Sequence, residues 1–244
     1  MGKDVKKTTA SLLSNTAFLC VALAVILIMA GILFVTRSNS FAVREVRIEG
    51  LQLIDAGELT ALLGAVQGEN LFMVDTGALA HKVQLHPLVE KAGFERRLPH
   101  TLVLRVVERT PMALILMGDQ VMEVDSLGTV LRYFDVWPDT QCPVLTGIRI
   151  QGPLGPGQRV QDEVFNRARD CLAVAPPELR ARIEEVHVEA VGAIRLYLDT
   201  RVEVRLGISD SYAGKLQELA ELMNKERIQS ARYIDLTSNR HVIY

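Results

Sequence analysis

The chain has 244 residues, 49% of them hydrophobic and 23% charged, with a formal net charge of −2. Such proportions belong to a folded protein and exclude a disordered or collagen-like one. The near balance of charge also argues against a nucleic-acid partner, and three cysteines are too few for a disulfide-dense secreted scaffold.

No charged residue occurs between Thr8 and Thr36, and Ala17 to Val35 is continuously apolar. Nineteen helical residues extend about 28 Å, close to the hydrocarbon thickness of a bilayer. Residues 17–36 are therefore expected to span a membrane. A cleaved signal peptide is the rival reading, because Ser38-Asn39-Ser40 is a small-x-small pattern. Its apolar region, however, would run only about 7–15 residues. Lys3, Lys6 and Lys7 on one side balance Arg37, Arg44 and Arg47 on the other, so the positive-inside rule does not orient the span. The short leader, residues 1–16, favours a signal anchor with a cytoplasmic tail and an external C-terminus. No second span is expected, since Met112–Met117 and similar runs are too short.

The part beyond the span begins with a strand over Phe41–Glu49, ended by Gly50. Asp55 and Glu58 have capping-box spacing before Leu59, Leu62 and Leu63, with Gly64 as a stop. Asp75 or Thr76 caps a second helix whose inner face is Leu79, Val83 and Leu85, closed before Pro87. Strands are expected over Val89–Glu95 and Thr101–Glu108, the latter with Leu102, Leu104 and Val106 on one face. The order is β-α-α-β-β.

A second unit starts near Pro111, with strands over Met112–Met117, Gln120–Val124 and Thr129–Phe134. Trp137 to Gly157, punctuated by Pro138, Pro143, Pro153 and Pro156, reads as a long loop. A helix follows from Asp162 to Val174. Three alternating strands then put Val186, Val188, Ala190, Ile194, Leu196, Leu198, Val202, Val204 and Leu206 on one face. His187, Glu189, Arg195, Tyr197, Glu203 and Arg205 fall on the other. A helix over Tyr212–Lys225 and strands over Tyr233–Leu236 and Val242–Tyr244 complete an α+β pattern.

Catalytic motifs are missing from the sequence: no Gly-x-Ser-x-Gly, Ser-x-x-Lys or His-Glu-x-x-His occurs. His81, His86, His100, His187 and His241 are dispersed and read as ordinary histidines rather than metal ligands. Gly152 to Gly157 lacks the Lys-Ser/Thr of a phosphate loop. Glu95-Arg96-Arg97 and Glu108-Arg109 read as solvated strand ends, and Trp137 as a packing residue. Nothing in the spacing of Cys142 and Cys171 decides whether they pair. What remains is a protein-binding surface. Ala231–Tyr244 is the most suggestive segment, because a last strand at a sheet edge offers unpaired N–H and C=O groups. An ordinary strand protected by its own sheet fits the pattern equally well.

Several motifs in order resemble the bacterial cell-division family FtsQ/DivIB. They begin with a short basic N-terminus and single span, then Phe41-x-Val43-x-x-Val46-x-Ile48-x-Gly50 and Pro87-Leu88-Val89. Arg97-Leu98-Pro99-His100-Thr101-Leu102 runs on to Glu108-Arg109-x-Pro111-x-Ala113. Asp125-x-x-Gly128, Pro143-x-Leu145-x-Gly147 and Tyr233-Ile234-Asp235-Leu236 follow. The resemblance implies a POTRA domain over residues 41–109 and a β domain over 110–244. It implies a non-enzymatic scaffold without cofactor, metal or small-molecule substrate, held in the inner membrane at the division septum. Its implied partners are FtsB/DivIC-like and FtsL-like proteins, through which septal peptidoglycan synthesis is regulated. Partner binding by strand addition carries over to Tyr233, Ile234, Asp235, Leu236, Thr237, Ser238, Arg240, His241 and Val242. One departure stands out: the family commonly reads Asp-Leu-Arg-Tyr, and this chain has Asp235-Leu236-Thr237-Ser238. The alternative, a POTRA-containing transport or outer-membrane assembly component, usually brings several POTRA repeats or a barrel.

Overall fold

The computed structural model describes residues 4–150, 152–223, 231–238 and 242–243. It divides into two compact units, Met1–Val83 with Lys91–Val107 and Gln84–Glu90 with Glu108–Tyr244.

The first unit opens with α1 (Asp4–Arg37). Phe18–Arg37 has a mean hydropathy of 3.1 and none of that window is buried, which is long and apolar enough to cross a bilayer. A 3₁₀ turn over Asn39–Phe41 leads to β1 (Glu45–Glu49), shorter than the Phe41–Glu49 strand expected. In α2 (Ala56–Leu63), Asp55 Oδ1 accepts from the Gly57 amide at 2.8 Å, and Leu59 and Leu63, one turn apart, are buried. In α3 (Thr76–Gln84), Asp75 Oδ1 accepts from the Gly77 and Ala78 amides, both at 3.0 Å. Val83 is the buried anchor of α3, whereas Leu85 lies past its end and is exposed. Two residues past Val83, Leu85 would face nearly the opposite side even if the helix continued.

β2 (Val89–Arg97) and β3 (Thr101–Glu108) complete a three-stranded sheet of order β1-β3-β2, with β1 parallel to β3 from Glu45↔Thr101 to Glu49↔Arg105. The Leu98–Pro99 bond between β2 and β3 is cis. Leu102, Leu104 and Val106 are buried as the alternation requires, and Val103 on the opposite face is buried too. That face carries Arg105 paired with Glu95 (2.6 Å) and Glu49 (3.6 Å), and Arg97 paired with Glu49 (3.6 Å).

The second unit is built on a nine-stranded sheet. β4 (Pro111–Met117), β5 (Gln120–Asp125) and β6 (Val130–Phe134) form an antiparallel meander. β7 (Val144–Thr146) lies inside the segment expected to be a long loop, and it is parallel to both β4 and β8 (Ile183–Val188). Gly147 makes this packing possible. At φ +84 it passes so near β8 that a Cβ there would sit 2.0 Å from the Val188 carbonyl oxygen. β9 (Ile194–Leu198) and β10 (Glu203–Gly207) continue antiparallel from β8.

α4 (Glu163–Ala173) starts at Asp162, whose Oδ1 accepts from the Phe165 amide at 2.8 Å, as the sequence suggested. α5 (Pro177–Arg180) is a short helix begun by the second of two prolines, and was not anticipated. α6 (Ala213–Met223) directs Leu216, Leu219 and Leu222 inward. The core joins these to Phe165, Ala168 and Leu172 of α4 and to the alternating Val186, Val188, Ile194, Leu196, Leu198, Val204 and Leu206. The expected inner residue Ala190 is exposed, because β8 ends at Val188 and the chain is already turning.

Arg109 is not a solvated strand-end charge. Arg109 Nη1 donates to Asp125 Oδ2 at 2.9 Å, with the two side chains 18% and 6% exposed. Asp125 Oδ1 also accepts from the Leu127 and Thr129 amides at 2.9 and 2.7 Å. The carboxylate thus closes the β5–β6 turn while its charge is matched by Arg109, two residues before β4. Cys142 and Cys171 are both free thiols.

Candidate partner-binding edge

The sheet ends at β11 (Tyr233–Asp235) and β12 (Val242–Ile243), and its order is β12-β11-β10-β9-β8-β7-β4-β5-β6. β11 runs parallel to β10 in the register Glu203↔Tyr233, Val204↔Ile234 and Arg205↔Asp235. Backbone bonds from Glu203 N to Arg232 O (3.3 Å) and from Leu236 N to Arg205 O (2.8 Å) flank the pairing. Ile234 and Leu236 are 0% and 1% exposed and belong to the core of the second unit. β12 pairs antiparallel with β11 through Ile234↔Ile243 and Asp235↔Val242. Ile234 and Asp235 therefore have neighbours on both flanks, and the outermost strand is β12.

Alternation sends Tyr233 and Asp235 to the face opposite Ile234. There the Arg205 guanidinium lies over the Tyr233 ring at 4.7 Å, and Arg205 Nε donates to Glu203 Oε1 at 2.7 Å. Glu203 is also 3.7 Å from Arg195, which pairs in turn with Glu189. The result is a run of alternating charge, Glu189, Arg195, Glu203 and Arg205, that ends on the Tyr233 ring of β11. The hydrogen bond that Arg205 donates to Glu203 raises the pKa of Arg205, and the one that Arg195 donates to Glu189 raises that of Arg195.

Thr237 closes a turn after β11. Its hydroxyl and amide donate to Asp235 Oδ1 at 2.6 and 2.9 Å, and the hydroxyl first, then the amide, holds the Asp235 carboxyl below its ordinary pKa. The Thr237 side chain also lies over Gly207, where a Cβ would come within 3.1 Å of Thr237 Cγ2. The Asp-Leu-Thr-Ser departure thus has a local structural use: a side chain that completes the turn stands where the family commonly has a cation.

Of the residues carried over from the resemblance, Tyr233, Ile234, Asp235, Leu236 and Thr237 lie together on or beside β11, with Ser238 next in the turn. Arg240, His241 and the side chain of Val242 lie outside the described residues. Sequence reasoning left two residues out of this set. Ile243 is the partner of Ile234 in the outer pair, and Arg205 stacks on Tyr233. The signal for Arg205 was present, since the alternation had already put it on the polar face.

Chemically competent constellations elsewhere are sparse. Among the described residues no group of three or more His, Cys, Asp or Glu side chains is placed to hold a metal. Thr146 Oγ1 donates to Glu185 Oε1 at 2.6 Å and lies 2.7 Å from His187 Nδ1. With its single proton given to the carboxylate, the hydroxyl must accept from the imidazole, so Nδ1 carries hydrogen. Trp137 is half exposed and lines an open groove of about 500 Å³ with Cys142, Glu185, Tyr197 and Asp199.

Residues 113–237 match the family model for cell division protein FtsQ/DivIB, C-terminal, and residues 41–109 match the POTRA domain, FtsQ-type. The chain belongs to the FtsQ/DivIB family. Cell division protein FtsQ of Anaeromyxobacter sp. strain K is 30% identical over 71% of this chain and 60% of its own length. The FtsQ of Geotalea daltonii is 25% identical over 99% of this chain and 88% of its own. The chain therefore spans less than two thirds of the Anaeromyxobacter relative. The major extracytoplasmic domain of DivIB from Geobacillus stearothermophilus superposes with a TM-score of 0.34 at 18% identity, covering 47% of this chain and 91% of that one. Membership in FtsQ/DivIB fixes the α+β class, the FtsQ-type POTRA unit and a place among cell-division proteins.

Proposed function

We propose that this chain is a non-catalytic scaffold of the division machinery, held in the inner membrane by residues 17–36 with residues 1–16 inside. Its POTRA domain (41–109) and β domain (110–244) then lie outside, at the septum. There it gathers FtsB/DivIC-like and FtsL-like proteins and helps regulate septal peptidoglycan synthesis. The observation that carries this reading is the two-residue strand β12, which forms the C-terminal edge of the nine-stranded sheet, the opposite edge being β6.

Magnitudes say how such an edge has to work. In an antiparallel pair, alternate residues direct both backbone groups away from the partner, so one of Val242 and Ile243 offers its N–H and C=O outward. Two hydrogen bonds contribute about 1–3 kcal/mol net, whereas micromolar binding needs about 8. Strand addition alone is therefore too weak. The incoming chain must extend the ladder or bury side chains against the adjoining polar face, where Tyr233 and Arg205 form a preorganised aromatic–cation platform.

A proline scan of β12 in the full chain tests this, reading capture of an FtsB-like extracytoplasmic segment by surface binding. Of Val242→Pro and Ile243→Pro, the variant that removes the outward N–H should lose at least about tenfold in affinity, with circular dichroism unchanged. Unchanged capture by both variants overturns the strand-addition reading.

A further inference from the structure

Three exposed apolar side chains of the first unit sit where α1 leaves it: Phe72 (42% exposed), Met73 (66%) and Leu98 (63%). Phe72 and Met73 belong to the loop following α2, which is laced to the chain emerging from α1. Val43 N donates to Glu69 O at 2.8 Å, Gly68 N to Val43 O at 2.9 Å and Leu71 N to Phe41 O at 2.7 Å. Asn70 ties the loop to α1 itself, its Nδ2 donating to the Val35 carbonyl at 2.9 Å while its Oδ1 accepts from the Phe72 amide at 3.0 Å. The Phe72 ring packs edge-on against Phe41, with centroids 5.3 Å apart.

Leu98 reaches the same end by another route. β1 and β3 are parallel and both begin there, Glu45 opposite Thr101, and Arg44 N donates to His100 O at 2.9 Å. Arg96, two residues before Leu98 at the end of β2, bonds to the loop carrying Phe72 and Met73, Nε to Leu71 O at 2.8 Å and Nη2 to Val74 O at 2.9 Å. No free linker intervenes, since Ser38 alone separates α1 from the 3₁₀ turn.

The depth of this end follows from the helix. Phe18–Arg37 comprises 20 residues and is about 30 Å long, the hydrocarbon thickness, with a headgroup layer of about 5–7 Å beyond it on each side. Val35 lies in the last turn of that span, so a side chain bonded to its carbonyl is at headgroup level, and Phe72 is two residues away. Exposed Arg37 and Arg44 flank the site with positive charge suited to lipid phosphate.

We propose that the two loop tips carrying Phe72, Met73 and Leu98 insert into the phospholipid headgroup layer of the bilayer that α1 spans, seating the POTRA unit directly on the membrane surface. This inference rests on the membrane-spanning reading of α1. Because Trp137 is the single tryptophan, the contact can be read by fluorescence in the full chain carrying Trp137→Phe. One tryptophan at a time is introduced, with the protein in phospholipid nanodiscs containing a headgroup-nitroxide lipid.

Phe72→Trp and Leu98→Trp should each lose about half of their emission, as interfacial aromatics do. Val107→Trp lies at the far end of β3, about 20 Å along the strand from Thr101, and should lose little. Met73→Trp, at an exposed position without ring packing, gives the same readout should Phe72→Trp disturb the fold. Phe34→Trp reports on the span. Quenching at position 34 with none above the position 107 level at 72, 73 and 98 overturns the proposal and leaves the anchor intact. Absence of quenching at position 34 overturns the anchor and the proposal together.

Discussion

Replacing Ile234 with alanine tests whether the β11–β12 ribbon docks as a separable element on the second unit. The ribbon is held by two fully buried side chains, Ile234 and Leu236, and by backbone bonds such as Leu236 N to Arg205 O. Burying each side chain contributes about 1.5–3 kcal/mol, and each backbone bond about 1. An Ile→Ala change in a closed core costs about 2–5 kcal/mol, which is comparable with the docking energy of the whole ribbon. It does not exceed the roughly 5–15 kcal/mol that holds a domain of this size together. The ribbon should therefore open while the rest of the sheet stays folded.

Native-state hydrogen exchange reads this directly. A loss of about 2 kcal/mol corresponds to roughly thirtyfold faster exchange at the Leu236 amide, with amides of β8 and β9 unchanged. Capture of an FtsB-like segment should weaken in proportion to the fraction of ribbon still docked. Undiminished protection at Leu236 refutes the reasoning, and so does exchange that accelerates equally in β8, β9 and β11. The latter would make the ribbon part of the cooperative core.

Three further outcomes are expected. Arg109→Met keeps the side-chain bulk but leaves the Asp125 carboxylate, 6% exposed, without its cation. It should cost about 3–5 kcal/mol in urea unfolding and be partly rescued by Asp125→Asn, and a loss under about 1 kcal/mol would contradict a structural ion pair. The Asp235 carboxyl titrates below its ordinary value because Thr237 donates to it. Its contribution to stability is then present above the unfolded-state pKa of about 3.9 and lost as pH falls through the folded value. Thr237→Val removes the largest cause, so the Asp235 midpoint in a carboxyl-carbon NMR titration should rise, and an unmoved midpoint would sink the assignment. Burial pushes the Cys171 thiol up to about 12. Maleimide at pH 8 should label Cys171 only at the rate of unfolding, which native-state labelling at the speed of a free thiol would disprove. Since the unfolded thiol ionises first, alkaline pH above its ordinary range should also destabilise the second unit.

Local elements were legible because their signals are local. Asp55 and Gly64 bracket α2, Asp162 opens α4, and the alternation of β3, β9 and β10 marks a buried face without any knowledge of neighbours. The polar face bearing Arg205 and Tyr233 follows from the same period of two. Motif order carried the family as well. Val103 shows the limit of the pattern, since it is buried although it lies on the face opposite Leu102 and Leu104.

By itself, the sequence determined the apolar span, the β-α-α-β-β order, the caps and the inward faces, all of which depend on residues within a few positions of one another. Only the tertiary structure decided what depends on distant strands. Three-residue β7 has too few positions to show a period, and it is a strand only because β4 and β8 lie on either side and Gly147 lets β8 approach. The partnership of Arg109 with Asp125 and the position of β12 outside β11 are likewise products of non-local pairing. A strand's own residues specify which face is apolar, but not which backbone will occupy its flank.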